Sequence, residues 1–236
     1  MRMYKIKALF KLGIEDLTKN MSVFIYVIFP LIFAMLYGGI DMGMSKEALY
    51  AFCMLMNLAM IPVALMGTIV AEEKEKNTLR TLMLNDVKAS EIMLAKSLIC
   101  MMFVVLNNIL IFIIIGVSMK QFALYQLVAL FVSLAIILFG GVVGILAKNQ
   151  MSAGLLSMPF MVILLAPVFI EMFDNKIATK ISEWLPTDAM MKIFDSITKS
   201  KASFDGVGMP IIVIAVWMVV SIIAFNVAFK KVGVDN

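Results

Sequence analysis

A chain of 236 residues that is 63% hydrophobic and 15% charged, with a mean hydropathy of +1.02, holds more apolar surface than a water-soluble core can absorb; soluble domains run at about 45–50% apolar and about 25% charged. Histidine is absent, which removes HExxH metal sites, Ser-His-Asp triads and His-based ligation together. The net charge of +4 sits on lysines beside apolar runs, and with no Gly-rich phosphate loop and no aromatic-basic RNA motif, nucleic acid is not a partner.

The first element, residues 1–21, sets Ile6, Leu9, Phe10 and Leu17 near one face at helical spacing, with Lys5, Lys7, Lys11 and Asp16 elsewhere. That pattern predicts an amphipathic helix lying along the membrane interface. A plain basic flank that fixes topology would not need the stripe. The polar stretch is too long for the n-region of a cleavable signal.

Six stretches then approach the roughly 20 apolar residues a crossing needs: 22–40, 48–71, 97–119, 124–147, 153–173 and 207–229. Pro30 and Pro62 should bend the first two, and Pro159 and Pro167 interrupt the fifth. Cys53 and Cys100 fall inside apolar runs and read as small hydrophobes, with no disulfide and no metal site expected. The 23 methionines suit either packing or an adaptable lining for a hydrophobic substrate, and packing is the simpler reading. With the N-terminus inside, 13 of the 20 lysines and arginines lie on the inner side and 7 on the outer. Both termini are therefore expected in the cytoplasm. The fold class is all-α: a polytopic membrane protein of one domain, 1–236.

Between the second and third spans, residues 72–96 begin with Glu72, Glu73, Lys74, Glu75 and Lys76. Leu79, Leu82 and Met83 then share one face of a short helix, and Ser90 is placed to cap the helix that enters the third span. Apolar knobs ringed by charge can seat in a groove of a soluble partner and carry its movement to the adjoining spans. The alternative is a solvated connection. Residues 174–206 hold two stripes: Ile177, Ile181, Trp184 and Leu185, then, after Pro186 and a Thr187 cap, Met190, Ile193, Phe194 and Ile197. They predict an outer helical hairpin whose apolar faces rest on the outer leaflet or dip into it; a surface loop with incidental periodicity is the alternative, and two successive stripes weigh against it.

The run Glu73-Lys74-Glu75-Lys76-Asn77-Thr78-Leu79, followed by Leu82, Ser90, Glu91, Ile92 and Lys96, resembles the signature of ABC-2 type permeases, the membrane subunits of type V ABC exporters. Asn77 stands where that family usually has Gly, and Asp86-Val87 near where it usually has Pro; Asn also tolerates a left-handed backbone. The layout is similar too: an interfacial N-terminal helix, six spans, a coupling helix after the second, and an outer hairpin with the Trp184-Leu185-Pro186-Thr187 corner. The resemblance implies a half-transporter in a bacterial plasma membrane, paired with a second permease copy or a related one. Two copies of a separate ABC ATPase would bind ATP and Mg, since this chain has no GxxxxGK[ST] loop, no catalytic residue and no cofactor of its own. It assigns ATPase coupling to Glu73, Glu75, Thr78, Leu79, Leu82 and Met83. A substrate path would run between two permeases, lined mainly by the first, second and fifth spans.

Asn57 lies near the middle of the second span, Asn107 and Asn108 near the middle of the third, and Glu171 near the outer end of the fifth. Amides in hydrocarbon need partners, so inter-helix hydrogen bonds are the first reading of the asparagines; polar spots on an export path, with Asn57, Asn107 and Glu171 as its residues, are the second. Glu171 has two readings, a side chain that snorkels to water or an outer gate. Gly140 and Gly144 form a GxxxG that permits close helix approach within one chain or between two. No charged residue lies deep in a span, which argues against ion-coupled transport. The favoured function is export of a hydrophobic or amphipathic substrate such as a peptide, bacteriocin or antibiotic. A non-transporting membrane scaffold or assembly factor is the alternative, and an intramembrane enzyme the least supported.

Overall fold

The computed structural model describes residues 3–40, 45–84, 87–173, 176–198 and 204–234. Among them the chain is helical: α1 (Met3–Lys19), α2 (Met21–Gly38), α3 (Lys46–Glu75), α4 (Thr78–Leu84), α5 (Ala89–Ile115), α6 (Met119–Leu146), α7 (Gln150–Phe173), α8 (Lys176–Ser182), α9 (Pro186–Thr198) and α10 (Phe204–Val234). Five of these, α3, α5, α6, α7 and α10, are long and apolar enough to cross a membrane. The apolar α2 has 18 residues, about 27 Å at 1.5 Å per residue, slightly under the roughly 30 Å hydrocarbon core.

Local chemistry sets the helix ends. Ser45 accepts a hydrogen bond from the Ala48 amide at 3.2 Å and Ser118 from the Gln121 amide at 3.3 Å, capping α3 and α6. At the far end of α5, Gly116 adopts φ +73° and its amide closes on the Phe112 carbonyl at 2.8 Å, the left-handed stop that glycine permits. Two expected caps fall elsewhere. Ser90 and Thr187 each lie inside the first turn of their helices, because α5 starts at Ala89 and α9 starts at Pro186. Proline suits that first position, where its missing N–H costs nothing. At α5 the amide of Lys88 is met by Glu91 at 3.2 Å.

The centre of the bundle is α3, which is wholly enclosed along its apolar length by α2, α5, α6 and α7. Pro62 sits within a π-helical turn, Met60–Leu65; the wider turn accommodates the ring and the hydrogen bond that proline cannot make. Lipid supplies no hydrophobic drive between spans, so close backbone approach and hydrogen bonds must hold them. Gly140 and Gly144 of α6 do the first. A Cβ on Gly140 would lie 2.2 Å from the Pro62 carbonyl oxygen, and one on Gly144 2.6 Å from that of Gly67. The GxxxG thus packs α6 onto α3 inside one chain. Span hydroxyls bond their own helices: Thr68 to the Ala64 carbonyl, Ser133 to Ala129 and Ser157 to Ala153, each at 2.7 Å. Helix α10 lies outside α6, with Trp217 against Phe139 at 5.2 Å between ring centroids. Ile28, Phe29 and Ile32 of α2, Leu155 and Ile163 of α7, and Ile212 and Ile223 of α10 are exposed, as lipid-facing positions should be.

Two amphipathic elements rest on protein rather than on lipid. In α1, Ile6, Leu9, Gly13 and Leu17 are buried. Ile6 and Leu9 meet Ile92 and Ala95 of α5, and a Cβ on Gly13 would lie 2.5 Å from Ile99. In α9, Ala189, Met190, Ile193 and Phe194 are buried against α6 and α10, with Phe194 stacked 4.1 Å from Tyr125. The expected placement of this face on the outer leaflet is corrected accordingly: a stripe at helical spacing is the same whether lipid or a neighbouring helix covers it. By contrast, Ile177, Ile181 and Trp184 at α8 and its corner are exposed. The corner is fixed by the Trp217 indole N–H, which donates to the Trp184 carbonyl at 2.6 Å, and by Lys192, which bridges Glu183 and Asp188 at 3.2 and 3.0 Å. Burial works against the Lys192 charge, but those hydrogen bonds and charges outweigh it and raise its pKa above the ordinary lysine value.

Candidate functional site

The run from Glu72 to Lys76 ends α3, and its side chains turn back toward the bundle. Glu73 meets Lys96 of α5 at 2.6 Å, with only 12% and 4% of the two side chains exposed. Lys74 donates to the Ile145 and Ala147 carbonyls at 2.8 and 3.0 Å, a cation on the negative C-terminal end of α6. Glu75 accepts from the Gln150 amide at 3.1 Å, an anion on the positive N-terminal end of α7. Glu72 accepts from Asn20 at 2.9 Å, between α1 and α2, and Asn20 also donates to Gln150 at 3.2 Å. Lys76 pairs with Glu72, and the hydrogen bond and charge of that carboxylate raise the lysine's pKa. One five-residue run therefore ties together the ends of α2, α3, α5, α6 and α7.

Helix α4 hangs from this hub. Asn77 takes φ +56°, a left-handed turn that Asn tolerates, and the Thr78 hydroxyl donates to the Glu73 carbonyl at 3.1 Å. Leu82 packs with Val87 on the cluster of Ile6, Leu9, Ile92 and Ala95, so it faces α1 and α5. Two residues on, about 200° around a helix, Leu84 points away and is 80% exposed. The side chains of Leu79 and Met83 lie outside the described residues. Of the six residues assigned to coupling, Glu73, Glu75, Thr78 and Leu82 are thus brought together at one end of the bundle, each with an internal contact. Leu84 had no signal of its own in the sequence, because the apolar face defined by Leu79, Leu82 and Met83 drew the axis of α4 the other way.

Farther into the membrane the asparagines meet one another. The Asn57 amide donates to Asn108 Oδ1 at 2.8 Å and to the Val104 carbonyl at 3.2 Å. Asn107 donates to Asn57 Oδ1 at 3.0 Å and to the Val27 carbonyl at 2.7 Å. All three are buried, and together they clasp α2, α3 and α5. Asn57→Ala takes the donor from Asn108 Oδ1 and leaves Asn107 with the Val27 carbonyl alone, and should cost about 1–3 kcal/mol, read as a fall in melting temperature of the detergent-purified protein; an unchanged melting point would mean the clasp holds nothing. The side chain of Glu171 lies outside the described residues. At the opposite end, a cavity of about 730 Å³ opens between α3, α6, α7 and α9, with Glu47, Tyr125, Lys192 and Asp195 among its walls.

The family model for ABC-2 family transporter proteins matches residues 42–229, from before α3 to the last turns of α10. The chain is a member of that family. Comparison with curated proteins yields no match. The protein is therefore a multi-pass membrane permease, a transport component of an ABC transporter. Permeases of this family normally work with an ABC ATPase. In this permease the matched segment contains the 72–76 run, most of its partners and α4, while α1, Asn20 and α2 lie before it.

Proposed function

We propose that this permease is half of an ATP-driven exporter. A separate ATPase seats α4, and a second permease copy, identical or related, completes the path. Residues 1–236 act as one unit: α1 (within 1–21) braces the cytoplasmic face, 72–96 couples, and 174–206 caps the outer side. With α2 counted as a crossing the spans number six and both termini are cytoplasmic, the placement favoured by the lysine excess on the α1 side. The observation that carries this reading is the mounting of α4. One side, through Leu82, is fixed to α1 and α5; the other presents Leu84 to solvent; and its root is pinned to the end of the enclosed α3. Force on α4 is thereby delivered to the centre of the bundle.

The enclosure of α3 bears on the route. In this conformation α2, α5, α6, α7 and α10 carry exposed large apolar side chains and α3 carries none among the described residues, so of the three spans that the resemblance assigns to a path between two permeases only the first and fifth are open to it. The second span would join it only on opening. Cargo that is amphipathic, such as a small peptide or antibiotic, suits the cavity at the far end, where Phe52, Val168 and Met191 stand beside Glu47.

Leu84→Asp is expected to abolish copurification with the ATPase partner while leaving the permease folded, since the side chain touches little of its own chain. Leu82→Asp is expected to lower the melting temperature as well, by burying a charge against Ile6 and Ile92. Wild-type protein that brings down no ATPase would favour the scaffold reading, and an ATPase retained by Leu84→Asp would remove α4 from the contact.

A further inference from the structure

A groove of about 610 Å³ follows the junction of α1 and α5. Ile6 and Phe10 form one wall, and Leu98, Met102 and Leu106 the other. Lys7 is the charged residue of the lining. It is exposed, and among the described residues nothing pairs with it, whereas Lys11 has Glu15 at 3.9 Å.

From Leu98 to Leu106 the groove follows about 12 Å of α5 at 1.5 Å per residue. The hydrocarbon of one leaflet is about 15 Å deep, half of the roughly 30 Å core. The groove is thus about one leaflet deep and almost entirely apolar, with the unpaired Lys7 as the charged residue of its wall.

We infer that this groove holds one acyl chain of an anionic phospholipid from the leaflet on the α1 side, with Lys7 against its phosphate. Apolar walls alone would take any hydrophobic chain. Lys7 adds the preference for negative charge, because a basic side chain at the interface attracts anionic headgroups. Ile6 also belongs to the cluster on which Leu82 packs, so a bound lipid would brace the seat of α4. That consequence rests on the proposed coupling; the binding does not.

Native mass spectrometry of the full-length protein, released from mixed micelles with equal phosphatidylglycerol and phosphatidylcholine and no ATP, tests the binding alone. Wild type should retain phosphatidylglycerol over phosphatidylcholine by about fivefold or more, the scale of one basic residue near an anionic headgroup. Lys7→Glu, on the exposed side of α1, should erase that preference. Met102→Trp should fill the groove and lose both adducts, while Leu110→Trp, on the same helix beyond the groove, should keep them. Equal retention of the two lipids by wild type, or a Lys7→Glu or Met102→Trp profile identical to wild type, would overturn the assignment.

Discussion

Gly140→Val is expected to leave no monodisperse protein on extraction from the membrane. The new Cβ would lie 2.2 Å from the Pro62 oxygen and 2.8 Å from the Val63 oxygen. Both are main-chain atoms, so no rotamer change relieves the clash; α6 and α3 must move apart by more than 1 Å to reach ordinary contact. That separation also breaks the Gly144–Gly67 approach. Overpacking costs typically about 1–3 kcal/mol and more where the surroundings cannot yield, and here the surroundings are the enclosed centre of the bundle. A size-exclusion profile reads the result. Gly208→Ala is the matched control, since nothing lies within 4 Å of its Cβ position, and alanine in a helix gains about 0.5–1 kcal/mol over glycine. A folded but monomeric Gly140→Val would instead place the GxxxG between two copies.

The second large effect is expected at Lys96. Lys96→Met leaves the Glu73 carboxylate at a largely enclosed site without its cation, and one of its oxygens has no hydrogen-bond partner even with the lysine present. Removing one member of a buried pair costs about 3–5 kcal/mol, whereas replacing both can be neutral. The double variant Glu73→Gln with Lys96→Met should therefore recover most of the melting temperature lost by the single one. The coupling account adds a second readout. The double variant should remain poorly coupled, with ATP hydrolysis continuing at a basal rate without cargo stimulation, because α3 and α5 are no longer pinned beneath α4. A single variant within about 0.5 kcal/mol of wild type would show that the pair bears no load.

Much of the bundle was legible as hydrophobic runs, because span length is set by the bilayer and not by tertiary contacts. The helices nevertheless extend past the runs. α3 reaches Glu75 and α5 begins at Ala89, since charged turns continue a helix once it leaves the hydrocarbon. The partners of the 72–76 run were not legible. Glu73 finds Lys96, Lys74 finds carbonyls of α6, and Glu75 finds α7, and none of these separations leaves a local pattern. The asparagine clasp was half legible: amides in hydrocarbon demand partners, but that Asn57 would meet both Asn107 and Asn108 needed α3 and α5 to be in register. The stripes of α1 and α9 showed that a face is covered and were silent on what covers it.

The central claim is that α4 sits in an ATPase and passes its movement to α3. Both native thiols, Cys53 and Cys100, are fully buried, so Leu84→Cys adds the accessible thiol for a maleimide–benzophenone reagent, whose photoactivated end inserts into C–H bonds of whatever lies against it. In membranes containing the assembled transporter, crosslinking should join this position to the ATPase subunit, with a yield that changes when ATP is trapped. Crosslinks absent in every nucleotide state, with cargo still exported at the wild-type rate, would contradict the account.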